Sequence, residues 1–210
     1  MITRICLVRH GETDWNVARR LQGFTDIPLN AEGLRQAHAA ATHLTQEGFD
    51  AIYSSDLQRA LVTAQIIGRQ IDVPVEIDEH LRERNFGQLQ GMTPDEAAVR
   101  FPEIQPRVRA REPNVTPPDG ESLAVFAERV HTGLDAIARR HPGQTILAVA
   151  HGGVLDIAYR IATGMPLSAP RDFALGNATL NWISWDGANW AMVAWDQRAH
   201  LDRNLDELPL

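Results

Sequence analysis

The chain contains no lysine; all 20 of its basic side chains are arginine. That excludes any reaction run through a lysine amine, such as Schiff-base chemistry, and it excludes the lysine-bearing phosphate loop of nucleotide hydrolases. An anion held by this protein must be held by arginine, histidine or backbone N–H groups. Cysteine is nearly missing too. Cys6 stands alone, so no intrachain disulfide can form, and its place in an apolar run reads as a buried thiol. No apolar run approaches the roughly 20 residues of a membrane span. The start, "MITRICLVRH", lacks the plan of a secretion signal. Basic charge is in the minority, 20 residues against 27 acidic, for a net charge of −7. That speaks against nucleic acid or an anionic membrane as partner. A cytoplasmic location is the expectation. Internal repeats, low-complexity stretches and linkers are also missing. The 210 residues read as a single domain over 1–210, with material for a sizeable core.

What is present is an alternation of strand-like and helix-like segments. "ICLV" (5–8), "AIYSS" (51–55), "VPVEI" (73–77) and "TILAVA" (145–150) are short and mostly apolar. Helical periodicity joins Leu34, Ala37, Ala41 and Leu44. It joins Leu57, Ala60, Ala64, Ile67 and Ile71, and again Leu123, Phe126, Val130, Leu134 and Ile137. Ser55 with Gln58 offers a capping box for the second of these helices, and Thr93-Pro94-Asp95-Glu96 opens a brief one. Pro102 to Pro118 is proline-rich and irregular. "ATLNWISW" and "NWAMVAW" flank Asp186–Asn189 as a hairpin. The pattern predicts an α/β fold: a three-layer α/β/α sandwich with a mostly parallel central sheet and one antiparallel edge strand. Ligands of such sheets bind beyond the carboxyl ends of the strands.

Two segments gain meaning there. The first strand ends "LVRHG" and the strand at 145–150 ends "AVAHGG". Each sets a histidine, then a glycine, at a strand's carboxyl end. If the strands are neighbours, His10 and His151 meet. Glycine lets backbone approach a ligand, and the helix after His151 directs free N–H groups at the same place, which favours an anion. Two histidines with carboxylates can also bind a metal, but H-E-x-x-H, H-x-H and cysteine clusters are missing, and Arg9 opposes a cation beside His10. No metal and no cofactor is expected. Arg59, just past the second strand, reaches the same edge with a planar fork suited to phosphate. Glu83 lies in a loop after the third strand and is a candidate general acid. Arg82 and Arg84 beside it also fit plain surface charge alternation.

The blocks "LVRHGETDWN", "QGFTDIPLNAEG", "YSSDLQRA", "LRERNFGQLQGM", "PDGESL" and "VAHGG" occur in this order. Together they resemble the histidine phosphatase superfamily, the phosphoglycerate mutase-like family. The resemblance implies that His10 is a nucleophile that becomes a phosphohistidine. It implies that Arg9, Arg59 and His151 clamp the transferring phosphoryl group, and that Glu83 donates and accepts the proton. It places Asn16, Gln22, Gly23 and Gly152 where the family makes further phosphate or substrate contacts. His10 must attack while neutral, so the surrounding cations should depress its pKa.

Within such a family the phosphohistidine is either returned to substrate, by a mutase, or passed to water, by a phosphatase. Four features point to hydrolysis. Only Gly91–Gly120 precedes the "GES" block, where mutases carry a longer insertion. A substrate-contacting lysine is lacking. Phe86 stands where mutases have tyrosine, and Gly153 where they have asparagine. Against these, the tail "HLDRNLDEL" resembles a bacterial branch often labelled phosphoglycerate mutase. Hydrolysis of a small phosphorylated metabolite is the leading expectation. A mutase is the alternative, and a phosphoprotein phosphatase or signalling protein the second alternative. The arginines at 100, 107, 109 and 111 form either a lid or a solvated loop. Trp182, Trp185, Trp190 and Trp195 read as sheet packing or a subunit contact, and a homodimer stays open. Asn177, in "NAT", matches a glycosylation sequon without consequence for a chain that is not secreted.

Overall fold

The computed structural model describes residues 1–202. The tail block noted above continues past residue 202, outside the described residues. The sheet strands are β1 (Thr3–Arg9), β2 (Ala51–Ser54), β3 (Val75–Ile77), β4 (Thr145–Ala150), β5 (Leu180–Trp185) and β6 (Trp190–Gln197). The helices are α1 (Asp14–Val17), α2 (Ala31–His43), α3 (Gln58–Ile71), α4 (Pro94–Arg100), α5 (Gln105–Arg109), α6 (Leu123–Arg140) and α7 (Gly152–Thr163). Spatial order across the sheet is β3-β2-β4-β1-β5-β6. The first four run parallel; β5 opposes β1, and β6 in turn opposes β5. The strand of opposite direction is thus β5, one place in from the edge, with its hairpin partner outside it.

Strand alternation divides the core into two layers. Ile5 and Leu7 of β1 face Leu134 and Ile137 of α6 and Leu155 of α7. Cys6 and Val8 face Ala40, Leu44, Ala64 and Ile67 on the α2–α3 side. The central strands are buried on both faces, which is why they read as unbroken apolar runs. Each fully buried leucine or isoleucine contributes roughly 1.5–3 kcal/mol relative to an exposed one. Cys6 is free and fully buried, and burial pushes its thiol pKa up. The hairpin tryptophans pack. Trp182 stacks on Phe49 at 5.9 Å, and the Arg4 guanidinium lies 4.8 Å from the Trp182 ring centre. Trp190 and Trp195 direct their indole N–H groups to Asp135 and to the Ala174 carbonyl. Among the described residues no helix is long and apolar enough to cross a membrane.

Three local expectations change. Leu34 is 41% exposed. The buried side of α2 runs through Gly33, Gln36, Ala37, Ala40 and Ala41, because Gly33 packs backbone-to-backbone on Gly11 and Glu12. The Ser55–Gln58 capping box does not form. Leu57 is the N-cap of α3 without a side-chain bond, and the Gln58 N–H donates instead to Asp26 Oδ1 at 2.8 Å, from a loop 32 residues earlier. The Pro102–Pro118 stretch is not wholly irregular: it contains α5, whose Val108 is 2% exposed and packs with Leu21, Phe86 and Leu89. The capping box at Thr93 and Glu96 does form.

Candidate active site

The β1–β4 register pairs Arg9 with Ala150. His10 and His151 each stand one residue further on, and the His10 N–H donates to the Ala150 carbonyl at 2.9 Å. Their ring centroids are 5.3 Å apart. Beside them opens a cavity of about 240 Å³ whose lining includes Arg9, His10, Arg59, Glu83, Gly152 and Gly153.

His10 is 3% exposed. Its Nδ1 lies 2.7 Å from the Gly11 carbonyl. A carbonyl can only accept, so Nδ1 carries the proton and Nε2 keeps its lone pair. Burial first, then the charges of Arg59 and Arg9, hold the pKa of His10 well below the usual imidazole value. The sequence pointed to the cations; desolvation is the larger cause. The same causes in the same order, with His10 between the arginines, lower His151, so both rings are neutral at pH 7. Both nitrogens of His151 are buried without a hydrogen-bond partner among the described residues, and His151, 0% exposed, lies behind the cavity-lining residues rather than among them.

Arg9 and Arg59 are 1% and 0% exposed. Arg9 Nη1 donates to the Leu175 carbonyl at 2.6 Å. Arg59 donates to the carbonyls of Gly23 and Thr25 at 2.7 and 2.9 Å. The loop that accepts from Arg59 also caps its helix through Asp26, so the two segments brace each other. Gly23 sits at φ +52°, and a Cβ there would meet the Gln90 amide at 2.1 Å, so a side chain would be strained and would push Gln90 aside. Gln22 and Gly23 line the cavity, as does Gly152, the first residue of α7. Asn16 is not among the lining residues. Its Oδ1 accepts from the N–H and hydroxyl of Thr13, closing a capping box on α1.

Glu83 is 8% exposed. One carboxylate oxygen accepts the Arg84 N–H at 2.7 Å and the other the Gly153 N–H at 3.1 Å. Glu83 lines the cavity, where a carboxyl group can give or take a proton. Gly153 has no side chain because a Cβ would stand 2.2 Å from Glu83 Oε1 and 3.1 Å from the Phe126 ring.

Four residues that the sequence reading did not assign to the site complete it. Asn177, fully buried, donates Nδ2–H to the His10 carbonyl at 2.9 Å. Thr63 accepts from the Gly11 N–H at 3.2 Å. Arg84 is 4% exposed, donates to the Glu121 and Val115 carbonyls, and has its pKa lowered by burial to about 10, so it stays cationic. Asp156 of α7 accepts from Arg111 at 2.5 Å and from Arg160, tying the segment after α5 to the cavity wall. Among the described residues no three His, Cys, Asp or Glu side chains are placed to share a metal ion.

Comparison with known proteins agrees with this geometry. The model of the histidine phosphatase superfamily (branch 1) matches residues 5–198. A probable phosphoglycerate mutase GpmB of Yersinia pestis is 36% identical, over 98% of either chain. Bacillus stearothermophilus YhfR superposes with a TM-score of 0.89 at 32% identity, covering 95% of this chain and 100% of that one. The phosphoserine phosphatase of Entamoeba histolytica, in complex with 3-phosphoglyceric acid, gives a TM-score of 0.85 at 29% identity, covering 95% and 99%.

Proposed function

The chain belongs to the histidine phosphatase superfamily and is an enzyme of the phosphomonoesterase type; from that premise we propose that it hydrolyses small phosphate monoesters through a phosphohistidine on His10. The observation that carries the reading is the neutral His10, its Nε2 lone pair unspent, beside His151 and two buried arginines.

Phosphoryl transfer asks a protein for positioning and for charge opposite the equatorial oxygens. In this reading His10 Nε2 attacks phosphorus as the ester P–O bond breaks. Glu83, protonated, passes its proton to the departing alkoxide. The products are an alcohol, the phosphohistidine and the Glu83 carboxylate. Water then enters; Glu83 takes one of its protons as the oxygen attacks phosphorus. The P–N bond breaks and its electron pair returns to Nε2, which releases inorganic phosphate and restores protonated Glu83. Arg9, Arg59 and an N–H of His151 stabilise the charge on the transferring group. Gln22, Gly23 and Gly152 form the adjoining wall. Asn16, turned to its own helix cap, takes no part in this wall. The chain works in this reading as one domain over 1–210, in the cytoplasm, on a small soluble ester rather than a nucleic acid or membrane.

The mutase reading keeps two observations in its favour, the name of the Yersinia relative and the sequence of the tail block. Gly153 weighs against it, since the space an asparagine side chain would take there is held by the Glu83 carboxylate. Assay with 3-phosphoglycerate, with and without 2,3-bisphosphoglycerate, decides. Release of inorganic phosphate without isomerisation supports hydrolysis. Isomerisation faster than phosphate release overturns it.

A further inference from the structure

We propose that Arg129, on α6, is a positioning residue that sets Glu83 in place for proton transfer; the proposal rests on the reading of Glu83 as the acid. Glu83 rides on chain that belongs to no strand or helix. β3 ends at Ile77, a single turn follows at Glu79–Leu81, and a loop carries Glu83. Backbone of this kind needs partners from elsewhere. One guanidinium supplies three of them. Arg129 Nη1 donates to the carbonyls of His80 and Arg82 at 3.0 and 2.9 Å, and Nη2 to that of Glu83 at 3.1 Å.

The guanidinium is itself fixed. Glu121, of the "GES" block, accepts from Arg129 Nη2 at 2.6 Å. The same Glu121 oxygen accepts the Asn85 N–H at 2.8 Å. The pair therefore grips the loop on both sides of Glu83. Phe126 lies 5.0 Å and Phe24 5.9 Å from the guanidinium, so rings also hold it. Phe24 follows Gln22 and Gly23, which connects this frame to the phosphate end of the cavity. One anchor of the Glu83 carboxylate, the Arg84 N–H, belongs to the clamped loop. Slackening the loop moves the acid and its anchor together, and proton transfer is sensitive to displacements of about 1 Å.

An arginine near a phosphate site can also act by charge alone. The two roles separate by leaving group. Charge on the phosphoryl group helps every ester alike; a positioned acid helps only esters whose alcohol needs a proton to depart. The experiment measures kcat/KM, which reports the first transfer, for p-nitrophenyl phosphate, phenyl phosphate and an alkyl phosphate. Arg129→Gln is expected to cut phenyl and alkyl phosphate turnover at least about tenfold more than p-nitrophenyl phosphate turnover, a fraction of what a general acid contributes. Glu83→Gln should show the same selectivity more strongly, and adding Arg129→Gln to it should bring no further selective loss. Equal losses on all esters, or none, overturn the proposal. Should Arg129→Gln fail to fold, Glu121→Gln, which keeps the cation and weakens its tether, is read by the same criterion. A Glu83→Gln enzyme without leaving-group selectivity would instead remove the acid assignment, and this proposal with it.

Discussion

Glycine does three different jobs around His10. A Cβ on Gly11 would meet the Gly33 carbonyl at 2.3 Å, and one on Gly33 would meet the Glu12 carbonyl at 2.1 Å. Gly11 therefore admits α2 rather than a ligand, against the sequence-based expectation. Gly152 opens α7 at the cavity wall. Gly153 makes room for the Glu83 carboxylate and donates to it. A methyl at position 153 has to displace Glu83 first, since the nearer obstacle is the tip of that side chain. Gly153→Ala is expected to lower kcat/KM for an alkyl phosphate by about a hundredfold, within the range of general-acid contributions, while the folded state survives. Steady-state kinetics with a urea melt checks this. Unchanged kinetics would mean that the Gly153 contact is incidental. Residue roles of this kind were only partly legible. His10, His151 and Arg59 announced themselves by standing at strand ends or just beyond. Asn177 did not, because its partner lies 167 residues away and a tripeptide match drew attention to surface chemistry instead.

At the scale of elements, pattern and packing agree wherever an element buries one side. α6 shows this: Leu123, Phe126, Val130, Leu134 and Ile137 recur at helical spacing and are buried. Ser122 caps it through the Val125 N–H, and it ends at His141, just before Pro142 and Gly143. Disagreement arises where a distant segment supplies what local sequence lacks. The first turn of α3 is capped by Asp26, not by Ser55. The stretch around α5 is rich in arginine and proline and was open between lid and loop. It is held by Val108 beneath and by Arg111, which donates to Asp156 and to the Leu167 carbonyl. Such ties join segments remote in sequence, and no local spacing encodes them.

Across the whole molecule, the strand order does the decisive work. It makes β1 and β4 neighbours in parallel, so two strand-His-Gly endings become one site. The same arrangement buries two imidazoles in neutral form, and that has a cost at low pH. In the unfolded chain both rings gain a proton near the usual value of 6.5; in the folded chain both resist it until far lower. The unfolded state therefore binds more protons below pH 6.5, and stability falls there as pH falls, by up to about 1.4 kcal/mol per pH unit for each ring. Above pH 7 these two groups add no slope. Urea midpoints between pH 8 and 5 check this against a His10→Asn, His151→Asn double variant, in which the decline should be largely gone. An equal decline in both proteins would assign it to other groups.

The central claim concerns the bond formed at residue 10. Rapid quenching of the enzyme during turnover of a phosphate-labelled monoester, followed by peptide mapping at alkaline pH, reads it directly. A phosphoryl group that is acid-labile and alkali-stable, on His10 and missing from His10→Asn, is the predicted result. Label on another residue, or a His10→Asn enzyme that still turns over, would contradict the account.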